Sequence, residues 1–158
     1  MKSADFIIIG QGIAGSLLAW ELMGRGFEVV IIDDGCKSSS TLVAAGIMNP
    51  ITGIRLVKSW EVNKFLMFAK KYYKDLEEKL GVRFFRDLEI LRLFRNEEEV
   101  RQWQKRKNDP DYMEFIGKRF EPGTFGEILK DDFGSFIIHG GGNLDAKVFL
   151  EVIRNYSA

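Results

Sequence analysis

The sequence predicts an α/β protein that begins with a Rossmann-like βαβ unit and continues into part of an α+β domain. Three observations lead to this prediction: two apolar runs typical of parallel strands that are buried on both faces, a glycine-rich turn directly after the first run, and helical periodicity between the runs. The two runs are residues 5–9 and 27–32, and the helical spacing covers residues 13–24. A strand, a helix and a second strand in this order form a βαβ unit.

Weaker patterns follow along the chain. Apolar periodicity and capping signals predict three more helices, at residues 60–80, at residues 96–107 and from about residue 145. Short apolar runs predict strands at residues 88–94 and 136–138. Turn-forming residues predict a long loop over residues 35–59, turns over residues 108–126 and a glycine turn at residues 140–143. We expect three segments, at residues 1–59, 60–138 and 139–158.

Composition excludes several classes of function. Lys and Arg total 23 and Asp and Glu total 23, so no net charge favours nucleic acid or a membrane surface. No apolar stretch has the length of about 20 residues that a membrane span needs. The single cysteine, Cys36, cannot form an internal disulfide, and the single histidine leaves no Cys/His cluster for a metal. We expect a cytoplasmic protein without a metal site, a nucleic-acid partner or a membrane partner.

The glycine turn has the spacing of a phosphate-binding loop. Gly10 permits a tight turn, Gly12 permits close approach of a pyrophosphate, and Gly15 permits close packing of helix on strand. The helix that follows presents free N–H groups and the positive end of its dipole. Asp33 lies at the end of the second strand, where a carboxylate accepts hydrogen bonds from a ribose. The predicted cofactor-binding residues here are Gly10, Gly12, Ile13, Ala14, Gly15, Asp33 and Asp34.

The glycine spacing leaves the identity of the dinucleotide open. FAD and NAD both bind to such loops, and a glycine-rich turn without a nucleotide is the alternative. Asp33 argues against a 2′-phosphorylated cofactor, because its carboxylate would repel that phosphate.

The segment that follows the second strand resembles the D-amino-acid oxidase superfamily, which includes glycine oxidase and sarcosine oxidase. The similarity lies in residues 38–47, where a Ser/Thr-rich stretch precedes Ala-Ala-Gly. The resemblance implies FAD as the cofactor and a loop that wraps the flavin. Asp33 stands where that family more often has Glu, so NAD stays the alternative. The residues that the resemblance assigns to flavin binding are Ser40, Thr41, Ala44, Ala45, Gly46 and Ile47.

Two later motifs also resemble this superfamily. Arg55 and Lys58 are similar to a basic pair beside the flavin in sarcosine oxidase-like members, and the resemblance implies catalytic or substrate-positioning roles for them. Ordinary surface charge is the alternative for both. Residues 141–145 resemble the step that returns the chain from the substrate domain to the cofactor domain. The resemblance therefore implies an FAD-binding unit with its flavin-contacting loop at 1–59, part of a substrate domain at 60–138, and a return segment at 139–158.

The resemblance implies an FAD-dependent oxidoreductase, either an oxidase or a dehydrogenase, that acts on a small amine or amino acid. Family members are more than twice as long, so we expect an N-terminal fragment of such an enzyme. Two parallel strands alone leave a sheet edge open. That edge would favour self-association or binding of a partner chain. The alternative function is a dinucleotide-binding module, for FAD or NAD, that is inactive without a partner or a C-terminal half.

Overall fold

The computed structural model describes residues 3–35, 39–126 and 128–156, which form two compact units. The first unit comprises residues 1–46, 77–84 and 144–158, and the second comprises residues 47–76 and 85–143. The domain boundaries expected after residues 59 and 138 stay a prediction. Cys36 and Ser38, which were part of the sequence-based expectations, lie outside the described residues.

The described residues contain five helices and ten strands. The helices are α1 Ile13–Gly24, α2 Ser40–Val43, α3 Val62–Leu80, α4 Glu97–Arg106 and α5 Ala146–Tyr156. The strands are β1 Phe6–Ile9, β2 Val29–Ile32, β3 Ile47–Met48, β4 Ile51–Thr52, β5 Val57–Lys58, β6 Phe85–Asp87, β7 Ile90–Leu93, β8 Ile116–Phe120, β9 Ser135–Ile138 and β10 Gly142–Leu144. The α/β fold class is confirmed.

The first unit contains the predicted βαβ arrangement. β1 and β2 are parallel, with Phe6 opposite Val29 and Ile9 opposite Ile32. α1 packs against both strands and against α5. The packed side chains include Ala19 on α1 and Phe149 and Ile153 on α5, all fully buried. The C-terminal helix therefore supports the helix that follows the glycine loop.

One face of the β1–β2 sheet is bare, which corrects the expectation that both strands are buried on both faces. Ile8 is buried, and its side chain points toward α1, where it would lie 3.3 Å from a Cβ at position 15. Because side chains alternate along a strand, the neighbours of Ile8 face the other way. That second face is formed by Ile7, Ile9, Val30 and Ile32, which are 66%, 85%, 46% and 55% exposed.

The second unit is built on antiparallel sheets. Two three-stranded sheets have the orders β7–β9–β8 and β3–β10–β6, and a two-stranded sheet has the order β4–β5. Aromatic and aliphatic side chains from these strands and from α3 and α4 form its core. Fully or nearly fully buried members are Ile51, Leu56, Val62, Phe94, Trp103, Phe115, Phe136 and Ile138.

Three sequence-based expectations about connecting segments are corrected. Residues 35–59 are more than a loop, because they include α2, β3 and the β4–β5 hairpin. Residues 108–126 include β8, and the predicted glycine turn at 140–143 overlaps β10. All of these strands have two to five residues; β4 and β5 pair with each other, while β3, β8 and β10 pair with more distant segments. Runs this short show no periodicity that sequence analysis can use.

Candidate functional site

The glycine loop is compact because three glycines leave room for close backbone contacts. Gly10 has a φ of +90° and donates its N–H to the Ile32 carbonyl at the end of β2. A Cβ on residue 15 would lie 2.0 Å from the Gly10 carbonyl oxygen, and one on residue 12 would lie 3.1 Å from Thr41 Oγ1. The positive φ of Gly10 is strained for a residue with a side chain, and a side chain at position 15 would collide with the Gly10 carbonyl. The backbone would therefore have to move if either glycine were replaced.

The first turn of α1 presents unused hydrogen-bond donors. Gly12 is its N-cap and supplies no side chain, while the Ile13 N–H donates to Thr41 Oγ1 at 3.2 Å. Among the described residues, the N–H groups of Gly12, Ala14 and Gly15 donate to no protein acceptor. A helix N-terminus with free N–H groups is a binding site for a phosphate.

Asp33 lies directly beside this loop. Its Oδ2 accepts a hydrogen bond from the Gln11 N–H at 2.6 Å, and its Oδ1 accepts one from the Gly35 N–H at 2.8 Å. These two backbone hydrogen bonds hold the pKa of Asp33 below its usual value, and the positive charge of Arg154 adds to the effect. Asp33 is thus an ionised carboxylate at the end of β2. Asp34 follows it in an exposed position.

Arg154 on α5 also reaches the loop, and the sequence analysis missed it. Its Nη2 donates to the Gln11 carbonyl at 2.9 Å and lies 3.8 Å from Asp33 Oδ1. The two partners precede Arg154 by more than 120 residues, so no local spacing links them to it. The sole signal was an arginine in the last turn of a helix.

The residues assigned to flavin binding by resemblance fall into two groups. Ser40 and Thr41 open α2, and Ala44, Ala45 and Gly46 follow it in the first unit, where α2 packs against α5. Gly46 has a φ of +68°, and its carbonyl accepts the Leu144 N–H at 2.8 Å. Ile47 belongs to the second unit, where it pairs with Asn143 in the β3–β10 ladder.

Arg55 and Lys58 lie on the β4–β5 hairpin of the second unit. Arg55 is exposed in the turn, between Gly53 and the fully buried Leu56, whose φ is +49°. Lys58 is half-buried opposite Ile51, with its Nζ 5.7 Å from the centre of the Tyr112 ring. Both cations are therefore presented by a hairpin whose turn is constrained by a buried side chain.

A buried ion-pair network fixes this hairpin. Arg92 donates to the Gly53 carbonyl at 2.8 Å and to Glu99 Oε1 at 3.2 Å. Glu99 is fully buried, and it also accepts hydrogen bonds from the backbone N–H and the guanidinium of Arg95. Burial raises the pKa of Glu99, but the hydrogen bonds from Arg95 and the charges of Arg92 and Arg95 outweigh it and lower the pKa overall.

The first unit therefore combines a glycine cradle, free N–H donors and an acidic strand end, and these features fit a dinucleotide. Comparison with known proteins identifies which one. A family model described as DAO, FAD dependent oxidoreductase, matches residues 5–155. The chain belongs to the DAO family of FAD-dependent oxidoreductases. The resemblance drawn from residues 38–47 is thereby confirmed, as is FAD as the family's cofactor.

Individual proteins are similar to this chain in sequence or in fold. An uncharacterised oxidoreductase of Bacillus subtilis, YurR, is 36% identical over 80 residues, which are 51% of this chain and 20% of YurR. The glycine oxidase of Geobacillus kaustophilus has a TM-score of 0.77 at 19% identity, over 98% of this chain and 44% of that chain. An L-amino acid deaminase of Proteus vulgaris has a TM-score of 0.70 at 21% identity, over 99% and 38%. The chain spans less than half the length of these relatives.

The described residues contain neither a membrane-spanning helix nor a cluster of metal-binding side chains. No helix there combines the length and the apolar character needed to cross a membrane. The same residues contain no group of three or more His, Cys, Asp or Glu side chains placed to hold a metal ion.

Proposed function

We propose that this chain supplies the FAD-binding part of an oxidase or dehydrogenase that acts on a small amine or amino acid. The observation that supports this most is the first unit, in which free N–H groups, a glycine cradle and an ionised Asp33 converge within a chain of the DAO family. Glycine oxidase and L-amino acid deaminase, which share the fold, suggest the class of substrate.

The first unit offers a donor or acceptor for each part of the dinucleotide. The N–H groups of Gly12, Ala14 and Gly15 would hold the pyrophosphate. Asp33 would accept from the ribose hydroxyls, because each carboxylate oxygen has two acceptor positions and the backbone uses one on each. Asp34 adds a second carboxylate nearby. Ser40, Thr41 and the small residues Ala44, Ala45 and Gly46 would line the remainder, since small side chains let backbone groups approach a flat ring.

The catalytic residues proposed within this chain are Arg55 and Lys58. Bound FAD supplies the acceptor for the hydride that leaves the substrate. Arg55 would hold a substrate carboxylate, because a guanidinium matches a carboxylate with two parallel hydrogen bonds. Lys58 would add positive charge beside it. The hairpin anchored by Arg92 and Glu99 would keep both cations in place.

A substrate screen under anaerobic conditions tests this proposal. The natural polypeptide that carries these residues is loaded with FAD and mixed with small amines and amino acids, and bleaching of flavin absorbance reports reduction. We expect bleaching by at least one amino acid or amine. Arg55→Gln should raise KM for carboxylate-bearing substrates more than it lowers kcat, whereas Arg101→Gln, an exposed change on α4, should alter neither. A flavin that no such compound reduces would contradict the proposal.

The bare sheet face favours a second hypothesis, in which the chain is a dinucleotide-binding module that is inactive without additional polypeptide. Four exposed aliphatic side chains on one face of a parallel sheet are unusual, because such sheets are covered on both faces. We propose that the covering element is polypeptide equivalent to the part of the relatives that this chain does not match. If the protein retains flavin only when that polypeptide is present, the binding-module hypothesis is supported. If it retains NAD and not FAD, the cofactor of the module is NAD. Self-association through the same face is the competing outcome, detected as a dimer by sedimentation. The cytoplasmic location expected from the sequence stays a prediction.

A further inference from the structure

Arg154 is a charged side chain that the proposed function has not used. It lies on α5, which packs against α1 and α2 in the first unit. Its Nη2 donates to the Gln11 carbonyl at 2.9 Å and lies 3.8 Å from Asp33 Oδ1. Its Nε is buried and has no partner among the described residues. The guanidinium is therefore inserted against the glycine loop and does not extend freely into solvent.

The contacts of Arg154 fix the orientation of one peptide group. The Gln11 N–H donates to Asp33 Oδ2 at 2.6 Å, while its carbonyl accepts from Arg154 and, at 3.4 Å, from the hydroxyl of buried Ser16. In a trans peptide the carbonyl and the next N–H point in opposite directions. Holding the Gln11 carbonyl toward Arg154 thus turns the Gly12 N–H away from α5, which leaves it available to a ligand.

We infer that Arg154 is a positioning residue for the cofactor pyrophosphate. It holds the Gln11–Gly12 peptide so that the Gly12 N–H faces the phosphates, and its charge offsets that of Asp33, which would otherwise repel them. This inference rests on the proposed function, because it needs a dinucleotide at the glycine loop. It concerns a residue 143 positions from Gln11, and no local motif includes it.

An arginine suits this role better than a lysine does. Its planar guanidinium reaches a carbonyl and a carboxylate together, whereas an ammonium is a compact point charge on a flexible chain. Arg154→Lys should therefore keep the charge and lose the fixed geometry, and Arg154→Gln should lose the charge. Comparing the two variants separates the electrostatic part of the role from the orienting part.

The test measures binding of ADP and of FAD to the natural polypeptide that carries these residues, by calorimetry after removal of flavin. ADP has the same pyrophosphate and adenosine as FAD but no flavin, so it reports on the glycine loop alone. We expect Arg154→Gln to weaken both ligands by a similar factor, roughly tenfold or more, and Arg154→Lys by a smaller one. Arg25→Gln, an exposed change at the end of α1 in the same unit, should leave both affinities unchanged.

The outcomes separate this inference from the proposed function. If the wild type binds ADP and FAD and Arg154→Gln binds both within twofold of it, the inference is overturned and the proposed function stands. If Arg154→Gln lowers the melting temperature of the ligand-free protein but leaves ADP affinity unchanged, the residue is structural and the inference is overturned as well. If Arg154→Gln does not fold, Arg154→Lys decides by the same criterion. If the wild type binds neither ligand, the proposed function itself fails.

Discussion

At the scale of single residues, the glycine loop depends on the absence of one methyl group. A Cβ on residue 15 would lie 2.0 Å from the Gly10 carbonyl oxygen and 3.3 Å from the Ile8 side chain. The first contact is with backbone, so α1 would have to move away from β1 to relieve it. This close approach explains why a glycine is needed inside a helix, where it otherwise lowers stability.

Gly15→Ala should therefore destabilise the protein by about 2 kcal/mol or more and reduce FAD affinity, because the helix N-terminus shifts. Chemical denaturation and a flavin titration measure the two effects. Gly24→Ala is the matched control, since nothing lies within 4 Å of a Cβ there and alanine favours a helix by about 1 kcal/mol. Equal affinities and stabilities for the two variants would show that the close packing at Gly15 has no consequence.

Asp33 stabilises the folded protein by an amount that falls as the pH is lowered. Hydrogen bonds from Gln11 and Gly35 lower its pKa in the folded protein below the usual 3.8. The stabilisation is then fully present above about pH 4 and is lost as the pH falls through the folded pKa. Asp33→Asn should be less stable than the wild type at pH 6, with the difference shrinking toward pH 2.5. Unfolding free energies across this range measure it, and a difference independent of pH would contradict the assignment.

The residues of the glycine loop were predictable because their spacing is local and their roles are backbone roles. Gly10, Gly12 and Gly15 fall within six positions, and Asp33 ends the next strand. Arg154 and Ser16 were not predictable from spacing, since their contacts with Gln11 depend on how helices pack. The assigned roles of Arg55, Lys58 and residues 40–47 stay predictions that binding and kinetic experiments must test.

At the scale of secondary-structure elements, α4 and the β4–β5 hairpin are joined through one buried carboxylate. Glu99 lies in the first turn of α4, where Asn96 caps the helix by accepting the Glu99 N–H at 3.1 Å. Its carboxylate accepts hydrogen bonds from Arg92 and Arg95, and Arg92 also donates to the carbonyls of Ile51 and Gly53. The helix start, the β7 end and the hairpin are thus held by a single network.

Glu99→Gln should lower the free energy of unfolding by about 1–3 kcal/mol, because the half-buried guanidinium of Arg92 loses its counter-ion. Hydrogen exchange should also accelerate at residues 51–58, which Arg92 anchors. Glu97→Gln, an exposed change two residues earlier on the same helix, is the control and should alter stability by less than about 0.5 kcal/mol. Unchanged exchange in the hairpin would mean that Arg92 holds it without help from Glu99.

Long elements were easier to predict than short ones. α1, α3 and α4 matched their sequence patterns to within about two residues because each has several turns of apolar periodicity or a capping pair. Strands β3, β4, β5 and β10 have two or three residues each; β3 and β10 form by pairing with each other across almost 100 residues, and β4 and β5 by pairing within one hairpin. A two-residue strand has no alternation of its own, so sequence analysis assigned these residues to loops and turns.

At the scale of the whole molecule, the exposure of the β1–β2 sheet was predicted only in part from the sequence. The open edge was anticipated, but the strands were expected to be covered on both faces. Ile7 and Ile9 are instead the exposed half of β1, opposite the half that faces α1. The apolar run that predicted a buried strand therefore forms an exposed apolar surface, which we propose is covered by further polypeptide.

Ile9→Lys measures whether that face is covered in the working protein. In the 158-residue polypeptide alone, the side chain is 85% exposed, so the change should alter the unfolding free energy by less than about 0.5 kcal/mol. When the covering polypeptide is present, a buried lysine should cost about 2 kcal/mol or more. Denaturation of both forms gives the comparison. Equal small effects would show that nothing packs on this face.

The central claim is that the first unit holds FAD through its glycine loop. The most direct measurement is a titration of the flavin-free natural polypeptide with FAD and with NAD, in the wild type, in Gly15→Ala and in Gly24→Ala. We predict saturable binding of one FAD per chain in the wild type and in Gly24→Ala, a much weaker interaction in Gly15→Ala, and no competition by NAD. Saturation by NAD without FAD, or undiminished FAD binding by Gly15→Ala, would contradict the claim.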